Sequence, residues 1–397
     1  MVKSHLKIES RQLNILFDSL KDLGYTIVGP TVREGSIVYD NIDSASGLPV
    51  GWTDEQSAAA YKLKRRGDNS YFGYNLSPYS WKRFLFPPRV KLFSAAKKGK
   101  SFKINSDSGN ASVPIMSLPN YAFIGVRPCE IQAIKIQDKV FNNWQYIDTV
   151  YKNRKEKVFI VAVNCTQAGG TCFCVSMNSG PKADNGFDIA LTEVIDKGGH
   201  YFIVEAGSEK GNELMSKIPH TVAGQSEIEN ANRLVQTTAR QMNKSMDTKD
   251  IKELLYANLE SRHWDDVATR CLTCANCTMV CPTCFCTTVE DVTDLTGENA
   301  ERWKRWDSCF TMDFARVFGG NFRSSSRARY RQWMTHKLAS WIDQFGTSGC
   351  VGCGRCITWC PVGIDITEEI EKIKEKGGKG EYFNHKDTKV TKEIKKD

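Results

Sequence analysis

Two cysteine runs of the same spacing constrain this chain more than any other feature. CLTCANCTMVCP (271–282) and CVGCGRCITWCP (350–361) both fit C-x2-C-x2-C-x3-C-P. Three thiolates on so tight a loop can each reach one iron of a cubane, leaving the fourth iron for a ligand from elsewhere. The fourth cysteine, three residues on, points away to the other cluster. One [4Fe–4S] cluster is therefore expected on Cys271, Cys274, Cys277 and Cys360, and a second on Cys350, Cys353, Cys356 and Cys281. Pro282 and Pro361 turn the chain after each crossing ligand. Paired C-x2-C units also hold zinc, but zinc needs four ligands and does not use the extra x2-spaced thiol and the Cys-Pro step. Eight cysteines spent as ligands leave no iron open to substrate, which favours electron transfer over chemistry at these clusters.

Of the 15 cysteines, eleven fall between Cys271 and Cys360 and none in the first 128 residues. A secreted disulfide scaffold would spread paired cysteines through a short chain behind a signal peptide. The start, MVKSHLKIESRQ, has no apolar stretch, and no apolar run approaches the roughly 20 residues of a membrane helix. A reducing, cytoplasmic setting without membrane insertion is expected. The net charge of +8 is diffuse, with nine Lys against six acidic residues in 371–397. A zinc-stapled, nucleic-acid-binding module is the weaker reading of that charge.

The periodicity predicts an amphipathic helix over 10–23, with Leu13, Leu16, Phe17, Leu20 and Leu23 on one face and Gly24 as its stop. YTIVGP and GSIVYD read as short strands, and SWKRFLFPP is too Pro-broken for a long helix. YAFIGV (121–126) and KVFIVAVNC (157–165) read as buried strands joined by a helix over 130–141, and FDIALTEV and HYFIVEAG as two more. Residues 105–112 read as a surface loop. The expected organisation is an α+β (or α/β) domain over 1–225, then a mostly helical bacterial-type dicluster ferredoxin-like domain over 226–376. That second domain carries an insertion at 282–349, and a charged tail follows over 377–397.

Four cysteines lie mid-chain. Cys129 follows the first buried strand at a helix start, Cys165 ends the second, and Cys172 and Cys174 sit in the loop GGTCFC. If the two strands pair in parallel, their C-terminal ends bring the four thiols together. A third iron–sulfur cluster, a zinc ion and unligated redox-active thiols all remain open for them. Cys284, Cys286 and Cys309, with Asp307, lie in the spacer, where buried structural thiols compete with a further redox role. Arg323, Arg327, Arg329 and Arg331 could offset cluster charge or form a solvated helix face. His336 reads as a packing residue. No G-x-G-x-x-G or G-x4-G-K-[ST] follows a strand, so no dinucleotide or NTP site is expected in this chain. A stand-alone thiol or iron–sulfur enzyme is the alternative from another class.

The segments LPVGWTDEQSAAAYKL, SWKRFLFPP, GVRPCEIQAIKIQDKVF, NCTQAGGTCFCVSMNSGP, FDIALTE, RWDSC and both cysteine runs together resemble one family. It contains the β subunit of cytosolic [NiFe] sulfhydrogenases and the corresponding iron–sulfur subunit of anaerobic sulfite reductase. The resemblance covers about 12–370. It implies a non-catalytic relay subunit of a soluble heteromeric oxidoreductase. FAD, a [2Fe–2S] cluster and NAD(P)H reactivity would belong to one partner subunit. The other partner would be a terminal catalytic subunit with its own clusters, [NiFe] hydrogenase being favoured over sirohaem sulfite reductase.

Overall fold

The computed structural model describes residues 5–75, 77–99, 101–105, 119–143 and 145–377. Most of the loop expected at 105–112, and the tail expected after 377, lie outside the described residues.

An eight-stranded mixed sheet forms the first half. Its order is Thr221–Val222, His5–Glu9, Gly199–Ala206, Ile189–Asp196, Phe159–Val163, Asn120–Val126, Tyr25–Arg33 and Ser36–Asn41. Ile189–Asp196, Phe159–Val163, Asn120–Val126 and Tyr25–Arg33 are mutually parallel, and the other strands join as antiparallel neighbours. Phe159, Val161 and Val163 enter one core, with Leu13, Leu16, Phe17 and Leu20 of the helix Leu13–Asp22. Ile160 and Ala162 enter the other, with Ile131 and Ile134 of the helix Pro128–Phe141. Burial on both faces is why this strand reads as an unbroken apolar run rather than an alternating one. The helix expected over 10–23 begins as a 3-10 turn, Ser10–Gln12, and stops at Gly24, whose φ of +79° an L-residue rarely adopts. The expected strand–helix–strand unit is present: Asn120–Val126 and Phe159–Val163 pair in parallel, so their C-terminal ends lie side by side.

The second half departs from the mostly helical expectation. Helices Gln225–Arg240, Ile251–Ala257 and His263–Arg270 lead into the first run as anticipated. The insertion, however, contains a hairpin of Thr287–Thr293 and Asn299–Trp306 and a smaller one of Arg316–Val317 and Gly320–Asn321. The longer hairpin pairs through Asn299–Trp306 with Arg89–Lys98 of the first half, itself paired with Ser101–Asn105. TTVEDVT and AERWKRW carry strand-favouring Thr, Val and Trp, but their apolar residues fall three apart (Val289 and Val292, Trp303 and Trp306), so no two-residue alternation announces the hairpin. Among the described residues, no helix is long and apolar enough to cross a membrane.

Candidate iron–sulfur sites

The mid-chain thiols are assembled by backbone that only certain residues allow. Gly125 takes φ +84° just before the strand ends, where a Cβ would press within 3.2 Å of Phe72 and 3.3 Å of the Tyr74 hydroxyl. The chain then turns through Arg127 and Pro128 into a helix that carries Cys129 in its first turn. Arg127 Nη2 donates to the carbonyls of Phe72 (2.8 Å) and Tyr74 (2.7 Å) and fixes that turn. After the neighbouring strand, Cys165 N–H donates to the Pro181 carbonyl at 3.0 Å. In the loop that follows, a Cβ on Gly170 would fall 2.1 Å from the Gln56 carbonyl, so the backbone passes where no side chain fits.

These turns bring the four thiols into one another's fields. Burial pushes Cys129 and Cys174 well up and Cys172 up to about 12, and the neighbouring thiols add to it: Cys174 acts on Cys129, Cys165 on Cys172, and Cys172 on Cys174. Cys165 is likewise raised by burial, against the pull of Arg127. As thiolates these four would repel one another, and a bound metal would compensate that charge. The surroundings also supply donors. Tyr74 Oη is fully enclosed and has no hydrogen-bond acceptor among the described residues, and the buried Arg127 side chain reaches Cys165 itself. Such orphan donors are expensive unless something anionic accepts from them. The sulfides and thiolates of a cluster would do so, and the residues present fit that group.

The two runs fold alike. Thr273 and Ala275 in the first and Gly352 and Gly354 in the second take left-handed φ of +51°, +67°, +63° and +75° at matching positions. Each loop aims the same amide at its first sulfur: Thr273 N to Cys271 Sγ and Gly352 N to Cys350 Sγ, both at 3.4 Å. One-turn helices, Asn276–Met279 and Arg355–Thr358, carry Cys277 and Cys356. The glycines of the second run have a reason the first lacks. A Cβ on Gly352 would lie 2.6 Å from the Phe173 carbonyl, and on Gly354 2.4 Å from that of Thr171. The second run is thus pressed against the mid-chain GGTCFC loop, whereas Cys274 and Leu272 of the first run face solvent.

The neighbours of each buried sulfur come from both runs. Cys277 is raised by burial and then by Cys271, Cys360 and Cys274. Cys356 is raised by burial and then by Cys350, Cys353 and Cys281. Burial also raises Cys350, to about 12. Cys271, Cys274, Cys277 and Cys360 share a cavity with Tyr330 and Trp333, whose Oη and Nε1 again lack acceptors among the described residues. Sulfurs around a tetrahedral zinc with bonds of about 2.3 Å would sit roughly 3.8 Å apart. Among the described residues, no three Cys, His, Asp or Glu side chains converge to hold a single ion.

Cysteine spacing did not point to the charges beside the sulfurs. Arg327 pairs with Glu260 (3.2 Å) and Asp265 (3.1 Å), Arg331 pairs with Glu260 (2.8 Å), and Arg329 donates to the carbonyls of Arg323, Phe310 and Ser324. Arg323 lies over the Phe322 ring. The cations at the sulfurs are instead Arg127 beside Cys165, Arg355 beside Cys353 and Lys337, in a π-helical turn over His336–Ser340. Lys337 Nζ donates to Cys281 Sγ (3.3 Å), Thr283 Oγ1 (3.2 Å), the Gly349 carbonyl (3.1 Å) and Cys284 Sγ (3.5 Å). Burial works against that charge, but Cys281 and Cys284 outweigh it and hold Lys337 well above its ordinary value. Cys284 donating to it, with Lys337 beside it, holds Cys281 well below the usual thiol range despite burial. Cys286 and Cys309 hydrogen-bond each other, with Asp307 near Cys286. His336 packs on Phe285 and Trp341, as its sequence context suggests.

Arg355 and Glu130 tie the second run to the mid-chain group. Glu130 accepts from Arg355 Nη2 (2.6 Å), Tyr39 Oη (2.9 Å), Trp81 Nε1 (3.0 Å) and its own helix cap, Arg127 N (3.3 Å). Cys353 falls within the field of Cys129, Cys172 and Cys174.

Comparison with known proteins agrees with this arrangement. Residues 270–364 match the 4Fe-4S dicluster domain family, a span that contains both runs. The chain is 28% identical to sulfhydrogenase 2 subunit beta of Pyrococcus furiosus over 374 residues, 94% of this chain and 98% of that protein. No solved structure matches it. The resemblance carried by the sequence segments is borne out: over nearly its whole length, this chain is similar to the beta subunit of a sulfhydrogenase and carries the 4Fe-4S dicluster match.

Proposed function

We propose that this chain is the electron-transfer subunit of a cytoplasmic multisubunit oxidoreductase, holding three [4Fe–4S] clusters. Cys271, Cys274, Cys277 and Cys360 would hold the first, and Cys350, Cys353, Cys356 and Cys281 the second. Cys129, Cys165, Cys172 and Cys174 would hold the third. The observation that carries this reading is the contiguity of the three thiol groups: Cys277 neighbours Cys281, and Cys353 neighbours Cys129, Cys172 and Cys174. Clusters of this kind take up and pass on single electrons, and a row of them with every iron ligated serves as a wire. The protein's share is to fix the thiolates, supply N–H donors to the sulfurs and exclude water from the second and third groups.

Electrons would pass between a partner subunit bearing FAD and a [2Fe–2S] cluster, reactive with NAD(P)H, and a terminal catalytic subunit. The similarity to a sulfhydrogenase beta subunit favours a [NiFe] terminus over a sirohaem one. The test is the full chain purified without oxygen. About twelve irons per chain and cubane signals by electron paramagnetic resonance after dithionite support it. About eight irons would remove the third cluster, and no reducible signal would sink the reading. Nickel or sirohaem in a copurified subunit identifies the terminus.

A further inference from the structure

Lys337 is 3% exposed, and among the described residues no carboxylate lies within ion-pair distance of its Nζ. A buried ammonium in that position is costly unless negative charge stands against it. Its acceptors are two neutral oxygens, Thr283 Oγ1 and the Gly349 carbonyl, and the sulfurs of Cys281 and Cys284. The compensating charge therefore has to reside on sulfur. The π turn at His336–Ser340 aims the side chain there, and such turns in helices recur at functional positions. Thr283 Oγ1 stands 3.1 Å from Cys281 Sγ and 2.6 Å from the Gly349 carbonyl, which orients the same cluster of atoms.

The other cations near the two cysteine runs are already balanced or differently engaged. Arg355 is paired with Glu130 at 2.6 Å. Arg270, beside Cys271 of the first group, is paired with Glu369 at 2.8 Å and its side chain is 40% exposed. Lys82 is buried near the same thiols, but its Nζ rests on the Cys284 carbonyl (3.1 Å) and over the Trp306 ring (3.9 Å). Beside the two cysteine runs, Lys337 is thus the cation set directly on a ligand sulfur without a carboxylate within ion-pair distance, Arg127 standing against Cys165 of the mid-chain group, and in the protein interior such a charge acts more strongly than in water.

Resting on the assignment of two clusters to the cysteine runs, we propose that Lys337 is a potential-setting residue. Its ammonium, placed on the ligand that the first run lends to the second group, holds the second cluster at a higher reduction potential than the first. Positive charge next to a thiolate ligand favours the reduced, more negative cluster. Electrons arriving at the solvent-facing first group are then drawn inward rather than shared equally between two similar sites.

The test is a potentiometric titration of the full chain, followed by electron paramagnetic resonance, for the wild type and for Lys337→Gln, Lys337→Met and Lys337→Arg. The two neutral variants are expected to move one cluster midpoint to more negative potential and leave the others in place. The Arg variant should restore most of the shift. Arg270→Gln, beside Cys271, should move a different signal from the one that Lys337→Gln moves. Unchanged midpoints in both neutral variants, or the same signal moving with Arg270, overturn the proposal. Loss of one cluster from both neutral variants overturns it as well, because Lys337 would then be a structural post. A wild-type chain without two reducible cubane signals fails earlier: it removes the cluster assignment itself.

Discussion

Arg355 Nη2 lies 2.6 Å from Glu130 Oε1, and both side chains are almost completely buried. Each makes further local bonds: Arg355 donates to the carbonyls of Ser77 (2.7 Å) and Tyr79 (2.9 Å), and Glu130 accepts from Tyr39 and Trp81. The pair joins the helix that carries Cys129 to the one that carries Cys356. Breaking a buried pair by removing one partner leaves the other charge stranded, at a cost of about 3–5 kcal/mol. Arg355→Met should therefore lower stability by about that much in urea unfolding followed by circular dichroism. Arg355→Met with Glu130→Gln should cost clearly less than the two single substitutions added together. Strict additivity would show that the pair is not coupled.

The mid-chain thiols offer a subtraction experiment. Cys172→Ala should lower iron from about twelve to about eight per chain and spare the two dicluster signals. A chain that keeps its full iron content after this change would remove Cys172 from the ligand set.

Gly352 and Thr273 occupy the same left-handed position in their runs, yet substitution should not be symmetrical. Gly352→Ala adds backbone strain of about 1–2 kcal/mol and drives a Cβ to 2.6 Å from the Phe173 carbonyl. It should also perturb the second cluster and the mid-chain group together. Thr273→Gly relieves the φ of +51° in a loop with no such neighbour and should change stability by less than about 1 kcal/mol. Equal destabilisation by the two would contradict the packing asymmetry.

Glu369 gives a pH dependence of definite sign. Burial would raise its carboxyl, but His263 Nε2 at 2.7 Å and Arg270 Nη2 at 2.8 Å outweigh it and hold the group down at about 2. Because the folded value lies below the unfolded one, the stabilisation is complete above roughly pH 4.5 and is lost as pH falls towards 2. At neutral pH it amounts to up to about 3 kcal/mol. The stability gap between wild type and Glu369→Gln should be widest at pH 7 and should shrink from about pH 4.5 downwards. A gap that widens on acidification would refute the linkage.

Much of the sites was legible because cluster ligation demands a fixed spacing that no fold-level constraint mimics. The approach of the two runs around Cys277 and Cys356, and the gathering of Cys129, Cys165, Cys172 and Cys174, follow from local spacing plus one parallel strand pair. Lys337 was not legible. Its position depends on a π turn, and an extra residue in a helical turn leaves no periodic mark in THKLASW. The arginines at 323–331 looked better placed in sequence, but Glu260 and Asp265, some sixty residues earlier, claim two of them. The boundary expected at 225 also missed the pairing of Arg89–Lys98 with Asn299–Trp306, because strand partners that far apart carry no local signature.

That same pairing sets a schedule for biosynthesis. Lys91 and Glu301, ion-paired at 3.0 Å across the two strands, are 210 residues apart in the chain. Made from the N-terminus on, Arg89–Lys98 emerges with one edge open and stays open until the second hairpin leaves the ribosome. A chain released before residue 299 would carry the first half with that edge bare, a ready template for self-association, so premature termination should yield aggregates rather than a soluble fragment.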